Sequence, residues 1–225
     1  MPRRRRMPKP LRPTAIINRL TREAPLTPWR ATNDPVTELV LTLLSQNTSD
    51  TNSGRAFQQL LRRYPDWDAV LAAPVEELEE TIRPGGLART KAPRMQALLA
   101  QLQERLGPDW DASRLATMPI DEAKAWLTEL PGVGPKTAAC VLLFSLGRAA
   151  LPVDTHVHRV SQRLGLIGAK TSAVAAHDML EAQMPAERFY AFHVSVIRHG
   201  RRVCQARQPR CGVCVLRDRC PSAQQ

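Results

Sequence analysis

The sequence lacks any apolar run near the ~18 residues that a membrane-spanning helix requires, which excludes a helical membrane protein. Aromatic residues are scarce, at 4% of 225 residues, which argues against a single-strand binder that stacks many bases on aromatic side chains. No apolar stretch follows the basic residues at the amino terminus. We therefore expect no secretory signal and a cytoplasmic protein.

Acidic residues are outnumbered: 21 Asp and Glu face 32 Lys and Arg, which gives a formal net charge of +11. An excess of this size indicates a polyanionic partner, most commonly nucleic acid. The excess is concentrated in residues 1–22, which contain no acid, and in residues 198–219, where seven arginines accompany one aspartate. Electrostatic attraction does not depend on nucleotide sequence. The positive charge therefore supports nucleic-acid binding but does not indicate which reaction, if any, the protein catalyses.

Four of the five cysteines lie close together near the carboxyl end. Cys140 stands alone in an apolar segment, where we expect a small buried hydrophobe. The clustered residues are Cys204, Cys211, Cys214 and Cys220. Such a cluster favours a metal site over a disulfide framework. Four thiolates suit zinc or an iron–sulfur cluster, and the presence of only one close Cys-x₂-Cys pair mildly disfavours zinc.

Helical periodicity runs through nearly the whole sequence without convincing two-residue alternation, so the predicted fold class is all-α. Asp34-Pro35 is a good helix start, and Pro93 is placed in the first turn of a later helix. Apolar spacing predicts further helices around residues 57–61, 75–82, 95–102, 123–130, 157–164, 173–183 and 186–202. The basic, proline-rich residues 1–13 are predicted to form a disordered tail.

A glycine-rich turn between two predicted helices is the first candidate site. Residues 130–137 read Leu-Pro-Gly-Val-Gly-Pro-Lys-Thr, and Gly132 and Gly134 permit a tight turn and a close approach of the backbone to a ligand. Val133 is expected to plug the turn onto the helices. The next helix starts at Pro135, and its free N–H groups favour an anion such as a DNA phosphate. Eighteen residues after Lys136 a second helix start reads Val-Asp-Thr-His, over residues 153–156.

Together these segments resemble the helix-hairpin-helix DNA glycosylases, specifically the endonuclease III group. Six, two and five residues separate the clustered cysteines, a spacing similar to that of the group's [4Fe–4S] loop, and the preceding His-Gly-Arg at 199–201 matches as well. The resemblance extends from about residue 14 to residue 221. It implies a bifunctional DNA glycosylase and AP lyase of base excision repair, which acts on oxidised pyrimidines and abasic sites in double-stranded DNA.

The resemblance also implies the catalytic residues. A lysine becomes a nucleophile only after its ammonium loses a proton. Lys136 matches the family lysine that attacks C1′ of a damaged nucleoside, expels the base, and holds the sugar as a Schiff base until β-elimination cuts the strand. Asp154 matches the aspartate that helps deprotonate this lysine. An aspartate at a helix start is also a good cap, so Asp154 can serve both purposes.

Two loops resemble the family segments that intrude into the duplex when a base is flipped out. In residues 44–50, alignment on Asp50 places Asn47 where the family has an intruding glutamine, with Gln46 just before it. Both residues are expected to contact DNA. Asparagine is one methylene shorter, so its contacts with the unpaired base should differ. In residues 85–92, Leu87 occupies the position of an apolar wedge, and Ala88 is smaller than the aromatic residue that often follows it.

The resemblance further implies that the four clustered cysteines ligate a [4Fe–4S] cluster, which locks a tail with little core of its own. This loop would present Arg207 and Arg210 to the DNA backbone. Residues 34–148 are expected to form a six-helix domain with the hairpin, and residues 14–33 with 149–225 an iron–sulfur domain. The DNA would lie in a groove between the two domains, and we expect a monomer associated with the nucleoid.

Three alternatives remain open. A monofunctional mismatch glycosylase, such as the adenine-removing branch, generally lacks the lysine and has a further carboxyl-terminal domain, whereas this sequence ends five residues after Cys220. A non-catalytic lesion-binding protein could keep the scaffold and bind distorted duplex without forming a covalent intermediate. A helical, zinc-binding transcription factor would contain zinc and no iron.

Overall fold

The computed structural model describes residues 11–223, and over these residues it contains helices and turns but no strand. The predicted all-α class is therefore confirmed. None of the described helices is both long enough and apolar enough to cross a membrane. The helices are α1 (Pro13–Glu23), α2 (Pro35–Ser45), α3 (Asp50–Arg63), α4 (Trp67–Ala72), α5 (Val75–Ile82), α6 (Ala88–Leu106), α7 (Arg114–Thr117), α8 (Ile120–Thr128), α9 (Pro135–Cys140), α10 (Thr155–Arg163), α11 (Ala173–Glu181) and α12 (Phe189–Arg202).

Side-chain caps set the starts of several helices. Asp34 caps α2 by accepting hydrogen bonds from the main-chain N–H groups of Val36 and Thr37, each over 3.0 Å. Proline at the first position of α2 has no N–H group to leave unsatisfied. Ser49, Asp66, Asp154 and Ser172 cap α3, α4, α10 and α11 in the same way. These residues start helices because they satisfy N–H groups that have no partner within the helix.

The chain forms two compact units, and the first comprises Arg30–Arg148. Its central element is α2, which packs against α3, α6 and α9. Leu39, Val40 and Leu44 of α2 are fully or almost fully buried, as are Leu98 and Leu99 of α6. Burial on several sides of α2 explains why its sequence is apolar nearly all round.

The second unit comprises Met1–Trp29 and Ala149–Gln225. Helix α12 packs against both α1 and α10. Ile16 and Ile17 of α1 and Phe192 and Val196 of α12 are buried in this core. Most of the predicted tail, residues 1–13, lies outside the described residues, and α1 begins at Pro13, the last residue of that range.

Three local features differ from the helices predicted by periodicity. Pro93 lies in the interior of α6, not in its first turn, because the helix begins at Ala88. The short helices α4 and α7 were not predicted, since six and four residues are too few to show a periodic apolar face. A 3₁₀ turn, Ala186–Arg188, precedes α12 where one continuous helix was expected.

Candidate functional site

The glycine-rich turn connects α8 to α9, as the sequence predicted. Its main chain closes through a hydrogen bond from the Val133 N–H group to the Leu130 carbonyl oxygen, over 3.1 Å. Gly132 has a φ of +77°, a left-handed conformation that favours glycine. The side chain of Val133 is buried, which confirms its predicted role as the plug of the turn. A Cβ on Gly134 would meet no atom within 4 Å, so the surface beyond the turn is open.

Lys136 follows this turn directly, as the second residue of α9, and its side chain is half-buried. Helix α9 continues into a π-helical turn, Val141–Ser145. Turns of π-helix are rare in proteins, and many of those that occur lie at functional sites. Cys140, at the end of α9, is buried as predicted.

A buried carboxyl group on α2, that of Glu38, interacts electrostatically with Lys136. Burial raises the pKa of Glu38, and the positive charge of Lys136 acts against that rise. Its carboxylate accepts hydrogen bonds from the Asn33 amide over 3.0 Å and from the Thr32 hydroxyl over 3.4 Å. Glu38 is not among the site residues predicted from the sequence. The available signal was the single charged residue of a predominantly apolar helix.

The first predicted DNA-contacting loop follows α2. Asn47 is exposed and has a φ of +54°, a left-handed conformation that asparagine tolerates better than most residues. Gln46 is half-buried, and its amide donates to the carbonyl oxygen of Gly132 over 3.5 Å. The structure therefore places Gln46 against the hairpin turn and leaves Asn47 exposed at the surface.

The second predicted loop precedes α6 and exposes an apolar side chain. Leu87 is 56% exposed and has a φ of +53°, a conformation that costs a residue with a Cβ about 1–2 kcal/mol. The preceding Gly86 also has a positive φ, of +69°. An exposed leucine in a strained conformation is not accounted for by core packing. Such strain is typical of sites that bind a ligand.

Asp154 belongs to the second unit and caps α10. Its carboxylate accepts a hydrogen bond from the Val157 N–H group over 2.7 Å, which confirms the predicted capping. The two nearby histidines contact protein groups. His158 bonds to the carbonyl oxygen of Thr171 over 2.8 Å, and His156 lies 3.2 Å from the guanidinium of Arg159.

The four clustered cysteines line a single pocket in the second unit. The pocket has about 480 Å³ of empty volume, which includes space open to solvent at its mouth. Cys204 lies just beyond α12, Cys211 begins a 3₁₀ turn that ends before Cys214, and Cys220 follows another such turn. Val160 of α10 and Leu164, which directly follows this helix, supply apolar surface to the same pocket.

The donor chemistry of this pocket fits an iron–sulfur cluster. Burial raises the pKa of the Cys214 and Cys220 thiols, and the negative charge that neighbouring cysteines carry as thiolates raises the pKa of each further. Bound cations would remove that repulsion and favour thiolates. Within residues 11–223, no three His, Cys, Asp or Glu side chains converge closely enough to hold one metal ion. A four-iron cluster takes one cysteine on each iron, which suits thiols spread around a pocket.

Arginines from two helices hold the main chain of this cysteine loop. Arg159 donates to the carbonyl oxygens of Gly200 and Cys204, over 3.0 and 3.1 Å. Arg19 of α1 donates to the Val215 carbonyl oxygen over 3.2 Å. The two arginines predicted to contact DNA, Arg207 and Arg210, are exposed.

Two family models match the chain. Residues 40–184 match the model for the HhH-GPD superfamily base excision DNA repair protein. Residues 204–220 match the iron-sulfur binding domain of endonuclease III. The first match includes Lys136 and Asp154, and the second includes all four clustered cysteines. The matches therefore cover both sequence segments on which the predicted resemblance rests.

Individual proteins are similar over most of the chain. An endonuclease III of Synechocystis sp. is 37% identical over 84% of this chain and 82% of its own length. A thymine-DNA glycosylase of Aeropyrum pernix is 30% identical over 86% of this chain and 85% of its own length. A solved structure of a trapped endonuclease III–DNA covalent intermediate, an estranged-adenine complex, has a TM-score of 0.80 and 31% identity. That match covers 94% of this chain and 95% of the other.

Proposed function

This chain belongs to the HhH-GPD superfamily of base excision DNA repair proteins, and we propose that Lys136 and Asp154 carry out its chemistry. It is a DNA glycosylase with AP lyase activity, it binds DNA, and it carries a [4Fe–4S] cluster. The predicted resemblance to the endonuclease III group and the predicted cofactor are confirmed.

The position of Lys136 in the structure supports its assignment as the nucleophile. It is a half-buried lysine at the start of a helix, directly after a turn with an open outer surface, and a buried carboxyl group interacts with it. A lysine attacks as the neutral amine, so the reaction requires a group that accepts the ammonium proton.

In the proposed reaction the amine of Lys136 attacks C1′ of the damaged nucleoside. The bond between C1′ and the base breaks, and the base leaves with the bonding electron pair and takes up a proton. Opening of the sugar gives an imine to the lysine nitrogen. Loss of a proton from C2′ then expels the 3′ phosphate, which cuts the strand 3′ to the lesion.

Asp154 is proposed to accept the proton from the lysine ammonium and to stabilise positive charge that develops on the sugar. Its capping hydrogen bond uses one carboxylate oxygen, Oδ1. A carboxylate has acceptor capacity beyond one such bond, so capping and catalysis are compatible.

Asn47 and Leu87 are proposed to enter the duplex when the base is flipped out, with Gln46 holding the first loop against the hairpin. Their exposure and positive φ angles support this assignment. We propose that the hairpin residues Gly132, Val133 and Gly134 contact the DNA backbone. Arg207 and Arg210 would add salt-sensitive phosphate contacts.

The proposed substrate is an oxidised pyrimidine in double-stranded DNA, or the abasic site that its removal leaves. A second candidate is mismatched thymine, which the name of the relative from Aeropyrum pernix favours. Excision assays on duplexes with thymine glycol opposite adenine and with thymine opposite guanine distinguish the two substrates.

Cys204, Cys211, Cys214 and Cys220 are the proposed ligands of the cluster, which cross-links the loop and supplies no redox step to base excision. The proposed domains are residues 34–148 and residues 14–33 with 149–225, and the two compact units support this division. We propose a monomer that acts on chromosomal DNA, for which light scattering on the purified protein should give a mass near 25.1 kDa.

Borohydride trapping tests the proposed function. Wild-type protein, Lys136→Ala and Lys136→Arg are incubated with duplexes that contain thymine glycol or an abasic site, and borohydride is added to reduce any imine. We expect a covalent protein–DNA adduct with wild type and none with either variant. Loss of the adduct in Lys136→Arg is informative because arginine keeps the charge but cannot form the imine.

Two results would reject parts of the proposal. An adduct that persists in both variants would exclude Lys136 as the nucleophile. Wild-type protein that binds the duplex without any adduct would exclude the covalent mechanism and favour the non-catalytic lesion-binding alternative.

A further inference from the structure

A buried lysine, Lys91, donates hydrogen bonds to main-chain groups near the start of both proposed DNA-contacting loops. Its side chain is only 3% exposed, although it belongs to the second turn of α6. The ammonium nitrogen donates to the main-chain carbonyl oxygen of Leu44 over 2.6 Å and to that of Gly85 over 2.9 Å. Both hydrogen bonds are buried.

The ammonium group is placed where main-chain dipoles stabilise it. Burial lowers the pKa of Lys91, because a charged group loses hydration in the interior. Leu44 lies in the last turn of α2, where carbonyl oxygens have no partner within the helix. A cation at the carboxyl end of a helix is stabilised by the partial negative charge there. Each carbonyl thus gains a strong donor, and the lysine gains acceptors in place of water.

Lys91 contacts the two loops very near the residues proposed to enter the duplex. Leu44 is three residues before Asn47, and Gly85 is two residues before Leu87. The main-chain N–H group of Lys91 also donates to the carbonyl oxygen of Leu87 over 2.9 Å. One side chain and its own backbone therefore connect the two loops.

The second loop has little freedom to shift at Gly85. A Cβ on this residue would lie 3.0 Å from the Cβ of Ala56, which is tighter than most real contacts of a Cβ atom. The same position lies 4.0 Å from the carbonyl oxygen of Leu44, one of the two acceptors of Lys91. Gly85 is therefore held both by close packing on α3 and by the hydrogen bond from Lys91.

We propose that Lys91 is a positioning residue that sets the spacing between Asn47 and Leu87, so that both side chains can enter one duplex at the same lesion. The inference rests on the proposed function of those two residues. Base flipping requires the vacated space to be filled while the damaged base is held outside the stack. A relative shift of about 1 Å between the two loops can therefore lower the rate of excision about 100-fold.

The test compares two reactions of one protein. The variant Lys91→Met keeps the length and apolar stem of the side chain and removes its charge and donors. Lys170→Met is the matched control, because Lys170 is exposed and lies outside the proposed site. Each protein is assayed for excision of thymine glycol from duplex DNA and for cleavage of a preformed abasic site, where no base has to be extruded.

We expect kcat/KM for excision to fall about tenfold or more in Lys91→Met. Cleavage of the preformed abasic site should change by less than about threefold, since its extrusion requires less unstacking. With 2-aminopurine placed opposite the lesion, fluorescence at saturating protein should rise less than with wild type. Lys170→Met should match wild type in all three measurements.

Excision that remains within about threefold of wild type would overturn the proposal. A parallel fall in both reactions with an unchanged 2-aminopurine signal would also overturn it, since a general loss of folded protein predicts that pattern. If Lys91→Met does not fold, Lys91→Gln, which keeps two N–H donors without the charge, is judged by the same outcomes. Wild-type protein that yields no adduct at an abasic site rejects the proposed function itself, which separates that failure from a failure of the Lys91 assignment.

Discussion

The guanidinium group of Arg163, on α10, donates a hydrogen bond to the thiol sulfur of Cys204 over 3.3 Å. The same guanidinium donates to the main-chain oxygens of Gln205 and Ala206, over 2.7 and 2.8 Å. One arginine therefore holds the chain that follows Cys204, and it places positive charge beside a proposed ligand of the cluster.

Replacement of Arg163 should weaken the cysteine loop. In Arg163→Ala three acceptors lose their donor, so we expect the free energy of unfolding to fall by about 1–3 kcal/mol. The visible absorption of the iron–sulfur cluster should also disappear faster when a chelator is added. Arg62→Ala, at an exposed position of α3, is the control for the loss of an arginine. A cluster lifetime equal to that of the control would contradict the prediction.

Replacement of Leu87 should separate stability from function. Glycine adopts the observed positive φ without strain, so Leu87→Gly should raise the free energy of unfolding by about 0.5–1 kcal/mol. The same variant loses the apolar side chain, and its excision rate should fall about tenfold or more. Leu87→Ala keeps the strain and should lose activity without gaining stability. Chemical denaturation and single-turnover excision measure the two effects, and full activity in either variant would exclude Leu87 as the wedge.

Asp154 permits a similar separation of capping from catalysis. Asparagine caps a helix about as well as aspartate, so Asp154→Asn should keep the free energy of unfolding within about 0.5 kcal/mol of wild type. Its excision rate should nevertheless fall strongly, because the amide cannot accept the lysine proton. Asp154→Ala should lose activity and also about 1 kcal/mol of stability. Unchanged excision in Asp154→Asn would leave this residue with a capping role alone.

Glu38 should make stability depend on pH. Burial raises its pKa above the usual value of 4.5, so the folded chain holds this proton to higher pH than the unfolded chain does. The contribution of Glu38 to the free energy of unfolding therefore decreases as the pH rises from the pKa of the unfolded chain to the higher pKa of the folded chain. In Glu38→Gln this titration is absent, and the stability difference, variant minus wild type, should grow from pH 4.5 towards neutrality.

Urea unfolding of both proteins at several pH values measures this difference. Glu104→Gln, at an exposed position of α6, serves as the control for the loss of a carboxyl group. A constant difference for Glu38→Gln would mean that its carboxyl group titrates alike in the folded and unfolded chains.

Arg207 and Arg210 should contribute to the salt dependence of DNA binding. Each phosphate contact adds about 0.9 to the slope of log K against log salt concentration. The slope should therefore become shallower by about 0.9 in each single variant to alanine and by about 1.8 in the double variant. Fluorescence anisotropy with an undamaged duplex at several salt concentrations gives the slopes. Slopes equal to that of Arg62→Ala would exclude both arginines as phosphate contacts.

The sequence by itself determined the all-α class, the hairpin turn and its plug Val133, and the cap Asp154. These features depend on residue type over a few neighbouring positions, so local patterns carry them. The cysteine spacing and the motifs around Lys136 likewise indicated the family and the cofactor before any fold was known. Periodicity found the longer helices but not α4 and α7, whose short turns show no repeating face.

Only the tertiary structure decided which charged residues are buried. Glu38 and Lys91 are ordinary charged residues in the sequence, and their burial arises from elements that lie far away along the chain. Lys91 and its acceptor Leu44 are 47 positions apart. The spacing from Lys91 to Met95 and Leu98 places this lysine on the buried face of α6, but periodicity does not show which acceptors compensate its charge.

The conformation of Leu87 was likewise decided by tertiary contacts. Nothing local favours a positive φ for leucine, and an isolated peptide would avoid it. The packing of Gly85 on Ala56 and the hydrogen bond from Lys91 hold the loop. These contacts offset the conformational strain of the positive φ at Leu87. Local patterns thus specified which residues could perform the chemistry, and long-range packing specified which of them are exposed, strained or buried.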